Sequence, residues 1–328
     1  MDPQVFKQLH AGGLISDDSL QRVEALEKSR LFSLHWELKA LLYLGVVLLS
    51  GGLGILVYKN IETIGHRAIL IFIALVCAGC FYYCIRKKSP FSVHKVGPPD
   101  AFFDYILLLA CLSFLTFIGY LQFQYDFFGD KYGLATFIPM LVLFISAYYF
   151  DHIGVLSLAI TNLAAWAGIA ITPTRILKDN AFEDSRLIYT ALVLAATLVL
   201  AGVATEKRNI KKHFSFTYTN FGGHLAFIAG LAGLFTLGFY PLWFLALLGI
   251  AWYFYQQALK KRSFYFLVIT VLYSYIALTY VAIKILSVMG PYGSGPLYLG
   301  FMYLILSAIG VVRFLISHNQ KMKTHDRL

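Results

Sequence analysis

The chain has 328 residues, of which 59% are apolar and only 13% are charged. A typical soluble domain carries about 25% charged residues. The few charged side chains here are too sparse to form a polar surface around a protein with a mean hydropathy of +0.70. This composition also excludes a disordered chain and a small secreted scaffold held together by disulfides. The sequence therefore predicts an all-α fold, a polytopic transmembrane helix bundle.

Residues 1–38 precede the first long apolar run and predict a small cytoplasmic helical head. Two short helices are expected, at 3–10 and 17–30, with Ser16 as the N-cap of the second. Helices this short are marginal alone, so they must pack on each other, on the bundle or on a partner. Two interpretations stay open: a structural cap over the bundle, or a module that binds a cytoplasmic protein.

The head and the first apolar run carry a motif of a known family. The stretch Ala11-Gly12-Gly13-Leu14-Ile15-Ser16 precedes the acidic second helix, and the first span contains Gly51-Gly52-Leu53-Gly54-Ile55. Over roughly residues 9–75 the sequence resembles the uncharacterised membrane proteins called domain of unknown function 2157. The resemblance implies a bacterial inner-membrane protein with a cytoplasmic helical head, and it implies no reaction.

Apolar runs long enough to cross a bilayer continue along the rest of the chain. A hydrocarbon core of about 30 Å needs about 17–25 apolar residues per helix. Within 221–257 a second interpretation is open, in which the chain enters the membrane and returns on the same side. The bundle spans 39–317, and residues 318–328 form a basic cytoplasmic tail. The ten predicted spans are 39–58, 68–85, 101–121, 133–150, 153–172, 187–204, 221–238, 241–257, 264–284 and 297–317.

The distribution of Lys and Arg predicts the orientation. With a cytoplasmic N-terminus, twenty of the 27 Lys and Arg residues lie on the inner side of the membrane. By the positive-inside rule, both termini are then cytoplasmic in a multi-pass protein of the cell inner membrane. This topology explains the net charge of +10, so membrane lipid is the expected partner and nucleic acid is not.

The second span carries Cys77, Cys80 and Cys84 on one helix face, and Cys111 lies on the third span. Three thiolates without a neighbouring His or carboxylate make a poor metal site, and free Cys is commonly a small buried residue. The chain also lacks an HExxH motif and paired carboxylates inside the membrane. We therefore expect no catalytic residue, no metal, no cofactor and no enzymatic activity.

Ionisable residues inside the spans form a first candidate site, because they are unfavourable in lipid. Asp104 and Arg313 lie near the cytoplasmic ends of the third and tenth spans, and we expect them to pair. His224, Asp151 and His152 share their level in the membrane. The alternative is that each side chain extends separately to the lipid headgroups.

Polar stripes on the fifth and ninth spans form a second candidate site, a hydrated cavity that opens outward. At its outer end Lys284 would attract an anionic headgroup or a small solute. The alternative is that these small and polar residues allow close helix packing. The candidate cavity residues are Ser157, Thr161, Asn162, Thr270, Tyr273, Ser274, Tyr280 and Lys284.

Glycines in the seventh span are expected to permit close helix approach or local unwinding. They are Gly222, Gly223, Gly230 and Gly233.

Two functions of different classes follow from these features. The first is transport or binding of a small solute or lipid through a cavity in the bundle. The alternative is a non-catalytic sensor, scaffold or assembly factor that binds a cytoplasmic partner through residues 3–30. An enzyme acting on lipid within the membrane lacks a visible catalytic set.

Overall fold

The computed structural model describes residues 10, 15–17, 19, 35–59, 65–100, 102–171, 185–288 and 294–324. The chain divides into two compact units, Met1–Lys59 and Asn60–Leu328. Helix α1 belongs to the first unit, and α2 to α10 belong to the second. In the described residues the helices are α1 His35–Lys59, α2 His66–Lys87, α3 Phe103–Tyr125, α4 Tyr132–Phe150, α5 Ile153–Ile171, α6 Ser185–Lys207, α7 Phe214–Thr236, α8 Tyr240–Lys260, α9 Phe264–Val288 and α10 Ser294–Thr324.

Each predicted span corresponds to one of these helices, and the described residues contain no strand. Of the helices that the structure describes, seven are long and apolar enough to cross a membrane, namely α2, α3, α4, α6, α8, α9 and the Tyr298–His318 part of α10. Helices α1 and α5 contribute shorter apolar stretches, Ala40–Ile55 and Ile153–Ile169. The prediction of an all-α polytopic membrane protein is confirmed.

Helix α7 begins at Phe214, whereas its predicted span begins at residue 221. The added turns contain Ser215, Thr217 and Thr219. Such polar residues are more typical of a connector than of a membrane-spanning helix. These three side chains are buried against neighbouring helices, so they need no contact with lipid.

With 23 and 21 residues, α7 and α8 rise about 34 and 32 Å at 1.5 Å per residue, which favours two full crossings over a re-entrant segment.

Helix α10 continues to Thr324, so most of the predicted separate tail, 318–328, is an extension of this helix. Its 31 residues rise about 46 Å, which exceeds a hydrocarbon core of about 30 Å. Polar residues such as Gln320 therefore remain helical because the helix hydrogen bonds form within the chain itself. Hydropathy indicates the residue at which a helix leaves the lipid. In α10 that residue comes before the end of the helix.

The predicted head helices, 3–10 and 17–30, lie almost entirely outside the described residues. The N-cap of the second helix is described. The Ser19 backbone N–H donates to Ser16 Oγ at 3.4 Å, which is the contact expected of an N-cap serine.

Helix α7 lies at the centre of the second unit, where it packs against α5, α6, α8 and α9. One buried apolar cluster joins α2 to α7 around Cys84, Phe103 and Phe214. A second joins α6 to α9 around Phe227 and Trp243. Because α7 contributes to both clusters, it connects the two halves of the bundle.

Glycines allow α7 to approach its neighbours closely, as the sequence predicts. A Cβ at Gly222 would lie 3.0 Å from the Ala195 carbonyl oxygen of α6. On the other face, a Cβ at Gly230 would lie 2.6 Å from the Leu247 side chain of α8. Both positions therefore hold glycine because a larger residue has no room.

The C-terminal ends of α2, α4, α6 and α8 lie at one end of the bundle. We call it the inner end, because the positive-inside rule assigns it to the cytoplasm.

Candidate functional site

A charged cluster is buried at the inner end, between the α4–α5 turn and the α6–α7 connector. Lys211 Nζ lies 3.1 Å from Asp151 Oδ1, and His213 Nε2 donates to the same oxygen at 2.7 Å. The side chains of Lys211 and Asp151 are only 1% and 2% exposed. Removing one partner of such a buried pair typically destabilises a protein by about 3–5 kcal/mol, because the other charge is left without compensation.

The connector between α2 and α3, residues 88–100, lies across this cluster, and we call it the inner strap. The Lys211 backbone N–H donates to the Val93 carbonyl oxygen at 2.7 Å. The Val96 backbone N–H donates to Asp151 Oδ2 at 2.5 Å. Lys211 and Asp151 therefore hold the middle of the strap through its backbone.

The end of the strap is held by Asp100. The Tyr83 hydroxyl donates to Asp100 Oδ2 at 2.8 Å, and Lys87 Nζ lies 3.5 Å from the same oxygen. The hydrogen bond from Tyr83 holds the pKa of the Asp100 carboxyl below its usual range, and backbone N–H donors and Lys87 act in the same direction. Asp100 is therefore ionised at neutral pH and ties the strap to the end of α2.

A small cavity lies between the strap and the bundle. Its volume is about 10 Å³, which is close to the minimum for one water molecule. Its polar lining includes Ser89, Ser92, Asp151 and Lys211. The cavity is too small for a solute or a cofactor.

The structure brings together some members of the predicted polar network and not others. His152 Nε2 lies 3.8 Å from Asp104 Oδ1, and His152 Nδ1 accepts the Val155 backbone N–H at 3.0 Å. The predicted pair between Asp104 and Arg313 is wrong. Arg313 is exposed on α10, which packs on α9, whereas α3 packs on α2, α4 and α5. Equal depth in the membrane does not make two helices neighbours.

His224 belongs to a separate hydrogen-bonded chain between α7 and α9. The Tyr265 hydroxyl donates to Asn220 Oδ1 at 2.7 Å, so its oxygen accepts from His224 Nε2 at 3.2 Å. His224 Nδ1 then accepts from the Tyr273 hydroxyl at 2.9 Å. The four side chains satisfy one another, which makes polar groups tolerable at membrane depth.

The predicted cavity between the fifth and ninth spans is not formed. Helix α5 packs on α4, α6, α7 and α3, whereas α9 packs on α8, α10 and α7. Helix α7 therefore lies between the two stripes. The stripes belong to different interfaces, and Tyr273 and Tyr280 pack against α7, as the alternative of close helix packing expects.

On α5 the seam hydroxyls bond within their own helix. Ser157 donates to the Ile153 carbonyl oxygen at 3.1 Å, and Thr161 donates to the Ser157 carbonyl oxygen at 2.9 Å. Asn162 Oδ1 is buried and has no hydrogen-bond partner among the residues that the structure describes. These contacts form no solute path.

On α9 the stripe is divided between two surfaces. Tyr273 faces α7, and the Tyr280 ring packs against Phe235 of α7 at 4.8 Å. Lys284 Nζ lies 5.6 Å from the Tyr280 ring centre, near the outer end of the helix. Thr270 and Ser274 instead line an open groove on the other side of α9.

This lateral groove lies between α8, α9 and α10 and has a volume of about 490 Å³. Small residues make room for it, since a Cβ at Gly310 would meet no atom within 4 Å. The lining is almost entirely apolar and aromatic, with few polar atoms. Its residues are Leu248, Ala251, Trp252, Tyr255, Thr270, Val271, Ser274, Tyr275, Leu278, Gly310, Val311 and Phe314.

Polar groups lie at the inner end of the groove. The Tyr255 hydroxyl is 3.3 Å from His318 Nε2, and His318 Nδ1 donates to the Phe314 carbonyl oxygen at 3.0 Å. Thr270 donates to the Phe266 carbonyl oxygen at 2.7 Å, so its hydroxyl is satisfied within α9. The groove thus has an apolar length and a polar inner mouth.

Sequence reasoning missed Lys211, His213 and the α10 wall of the groove. Lys211 and Lys212 are adjacent in a basic connector, yet Lys211 is buried and Lys212 is exposed. Both count equally in the positive-inside rule, so charge alone does not separate them. Gly310 likewise lies in a span where glycine is unremarkable.

The cysteines occupy packed positions. Cys77, Cys84 and Cys111 are buried, and the Cys77 thiol donates to the Ala110 carbonyl oxygen at 3.6 Å. In the described ranges, no group of three or more His, Cys, Asp or Glu residues has the arrangement of a metal site.

Residues 7–156 match the family described as "Predicted membrane protein (DUF2157)". The match begins in the N-terminal head and ends in the first turn of α5, so it includes Asp151 and the inner strap. No curated protein and no solved structure gives a significant match to the chain. This match covers less than half of the chain, and it confirms the resemblance to the DUF2157 family of predicted membrane proteins that was found in the sequence.

Proposed function

We propose that this protein is a non-enzymatic, membrane-embedded binding protein for a lipid acyl chain. The observation that carries the proposal is the lateral groove between α8, α9 and α10. Its volume of about 490 Å³ lies within the range of about 300–1,000 Å³ typical of ligand pockets. Apolar walls of this kind bind an apolar chain by packing rather than by hydrogen bonds.

The length of the groove suits one leaflet. Along α9 its lining runs from Thr270 to Leu278, a rise of about 12 Å at 1.5 Å per residue. Half of a hydrocarbon core of about 30 Å is about 15 Å. An acyl chain lying in the groove would therefore extend from the middle of the bilayer towards the inner end.

The polar inner mouth suits the other end of an amphiphile. Tyr255 and His318 lie where an ester or headgroup would emerge from the groove. Tyr and His side chains are suited to this level, because each has an apolar ring and a polar edge. We therefore propose that the ligand binds with its polar end towards the cytoplasm.

Photoaffinity labelling tests this proposal. A phospholipid with a photoreactive acyl chain should label peptides of α8, α9 and α10 in the purified protein. Gly310→Leu fills the groove and should reduce that labelling by about ten-fold, which corresponds to a loss of about 1.4 kcal/mol of binding.

Gly249→Leu is the matched control. A Cβ at Gly249 also meets no atom within 4 Å, but this residue does not line the groove. It should leave the labelling unchanged. Equal labelling of the Gly310→Leu and Gly249→Leu proteins would show that the lipid contacts the general surface and not the groove.

Transport is an extension of this binding proposal. It requires the bound chain to move between leaflets, and flux of a labelled lipid in proteoliposomes measures it directly. Partner binding by residues 3–30 falls outside the described residues and stays a prediction from the sequence.

A further inference from the structure

The middle of the inner strap is held by polar contacts of its backbone, and two of its large apolar side chains are exposed. Phe91 is 60% exposed and Val93 is 44% exposed, although both are large hydrophobic residues. The strap contains no helix, and its middle is attached through the Val93 carbonyl oxygen and the Val96 N–H. A segment with few buried apolar contacts has little stability of its own.

Two contacts of the strap backbone end on the side chains of one ion pair. Lys211 Nζ lies 3.5 Å from the His94 carbonyl oxygen, and Asp151 Oδ2 accepts the Val96 N–H, whereas Val93 is bound by the main-chain N–H of Lys211. Lys211 and Asp151 in turn bind each other. Losing either side chain therefore removes one contact with the strap and leaves the other charge without its partner.

The strap covers an apolar interior. Phe103 lines the small cavity beneath the strap and also belongs to the buried cluster that contains Cys84. Cys84 is fully buried, although it lies only one turn from the inner end of α2. The strap therefore lies over the Phe103 side of this cluster.

We propose that the inner strap is a releasable closure over the inner end of the α2–α7 core, and that the Asp151–Lys211 pair is its release point. Breaking the pair loosens the backbone of residues 94–96 and opens the Cys84 region to the aqueous phase. The closure is independent of the lateral groove, which lies on α8, α9 and α10.

Native Cys84 reports on this closure. Purified protein in detergent is treated with N-ethylmaleimide, and the labelling rate of each cysteine is measured by peptide mass spectrometry. Lys211→Met should label Cys84 at least about ten-fold faster than the natural protein. Cys80, which is partly exposed on the same helix, is the internal reference and should keep its rate.

Lys212→Met is the matched control, because it removes the same charge from the adjacent, exposed residue. It should leave the rate at Cys84 unchanged. Val96→Pro is a second way to release the strap, since proline removes the N–H that Asp151 accepts and leaves the ion pair intact. This variant should also accelerate labelling of Cys84.

Three outcomes would overturn the proposal. One is unchanged Cys84 labelling in Lys211→Met and Val96→Pro proteins that remain monodisperse. Another is faster labelling of all four cysteines together, which would indicate general loosening. The third is that the Lys211→Met protein unfolds while Cys84 stays protected in the Val96→Pro protein. The Asp151–Lys211 pair would then have only a structural role.

Discussion

Gly233 on α7 receives the indole ring of Trp243 from α8, and a Cβ at this position would overlap that ring. The same arrangement recurs at Gly223, where a Cβ would lie 2.8 Å from the Phe254 ring. Bulky side chains of one helix thus fill hollows that glycine leaves on the other. Without a hydrophobic driving force between helices in lipid, such close packing is a main source of helix association.

We expect Gly233→Val to destabilise the protein by about 1–3 kcal/mol, because the added methyl groups force Trp243 out of its position. Thermal unfolding in detergent measures the effect. Gly249→Val adds the same side chain at an α8 position where a Cβ meets open space, and it should change the unfolding temperature little. Equal unfolding temperatures of the two variants would contradict the close contact.

At the scale of helices, the first half of α7 is polar in sequence, and yet α7 lies at the centre of the bundle. Its Thr217, Thr219 and Tyr218 side chains are buried. Tyr218 shares a hydrogen bond of 3.0 Å with the Tyr148 hydroxyl of α4. Surrounded by other helices, α7 needs hydrogen-bond partners and close contacts more than it needs an apolar surface.

An ion pair joins the inner ends of α6 and α8. Lys261 Nζ, in the turn after α8, donates to Glu206 Oε2 at 2.6 Å, and the Ser215 hydroxyl donates to the same oxygen at 3.2 Å. The Lys261 and Glu206 side chains are 27% and 38% exposed, so solvent screens their interaction.

A double-mutant cycle with Glu206→Gln and Lys261→Met should therefore give a coupling of only about 0.2–1 kcal/mol. Unfolding in detergent at low and high salt measures it, and high salt should reduce it. Lys260→Met in place of Lys261→Met is the control and should show no coupling with Glu206. A coupling of several kcal/mol would mean that this pair acts like the buried Asp151–Lys211 pair.

At the scale of the whole molecule, the described polar contacts join the connectors at the inner end. The inner strap meets the α4–α5 turn and the α6–α7 connector, and Glu206 continues this line to the α8–α9 turn. These connectors and the last turns of the helices that lead into them carry eleven of the 20 Lys and Arg residues within 39–317. The distribution predicts that this end faces the cytoplasm.

Labelling of single cysteines in intact cells tests this topology. Phe127→Cys lies in the exposed α3–α4 connector at the opposite end, so a membrane-impermeant maleimide should label it from outside. Arg262→Cys, in the α8–α9 turn, should react only after the cells are permeabilised. The reverse pattern would place the inner end outside the cell and would contradict the positive-inside assignment.

The sequence alone determined the class of the protein and the place of every described long helix. This is possible because a bilayer imposes a local requirement: a helix that crosses it needs a continuous apolar stretch, and the stretch is visible without knowledge of its neighbours. The two largest boundary differences, at Phe214 and at Thr324, occur where a helix is surrounded by protein or extends beyond lipid.

Only the tertiary structure decided which helices are neighbours and which polar groups meet. It separated α5 from α9 by α7, and it buried Lys211 while leaving Lys212 exposed. Hydropathy reports how well a side chain suits an apolar environment, but it does not distinguish lipid from the interior of the bundle. Sites formed between helices therefore depend on packing, which no single helix encodes.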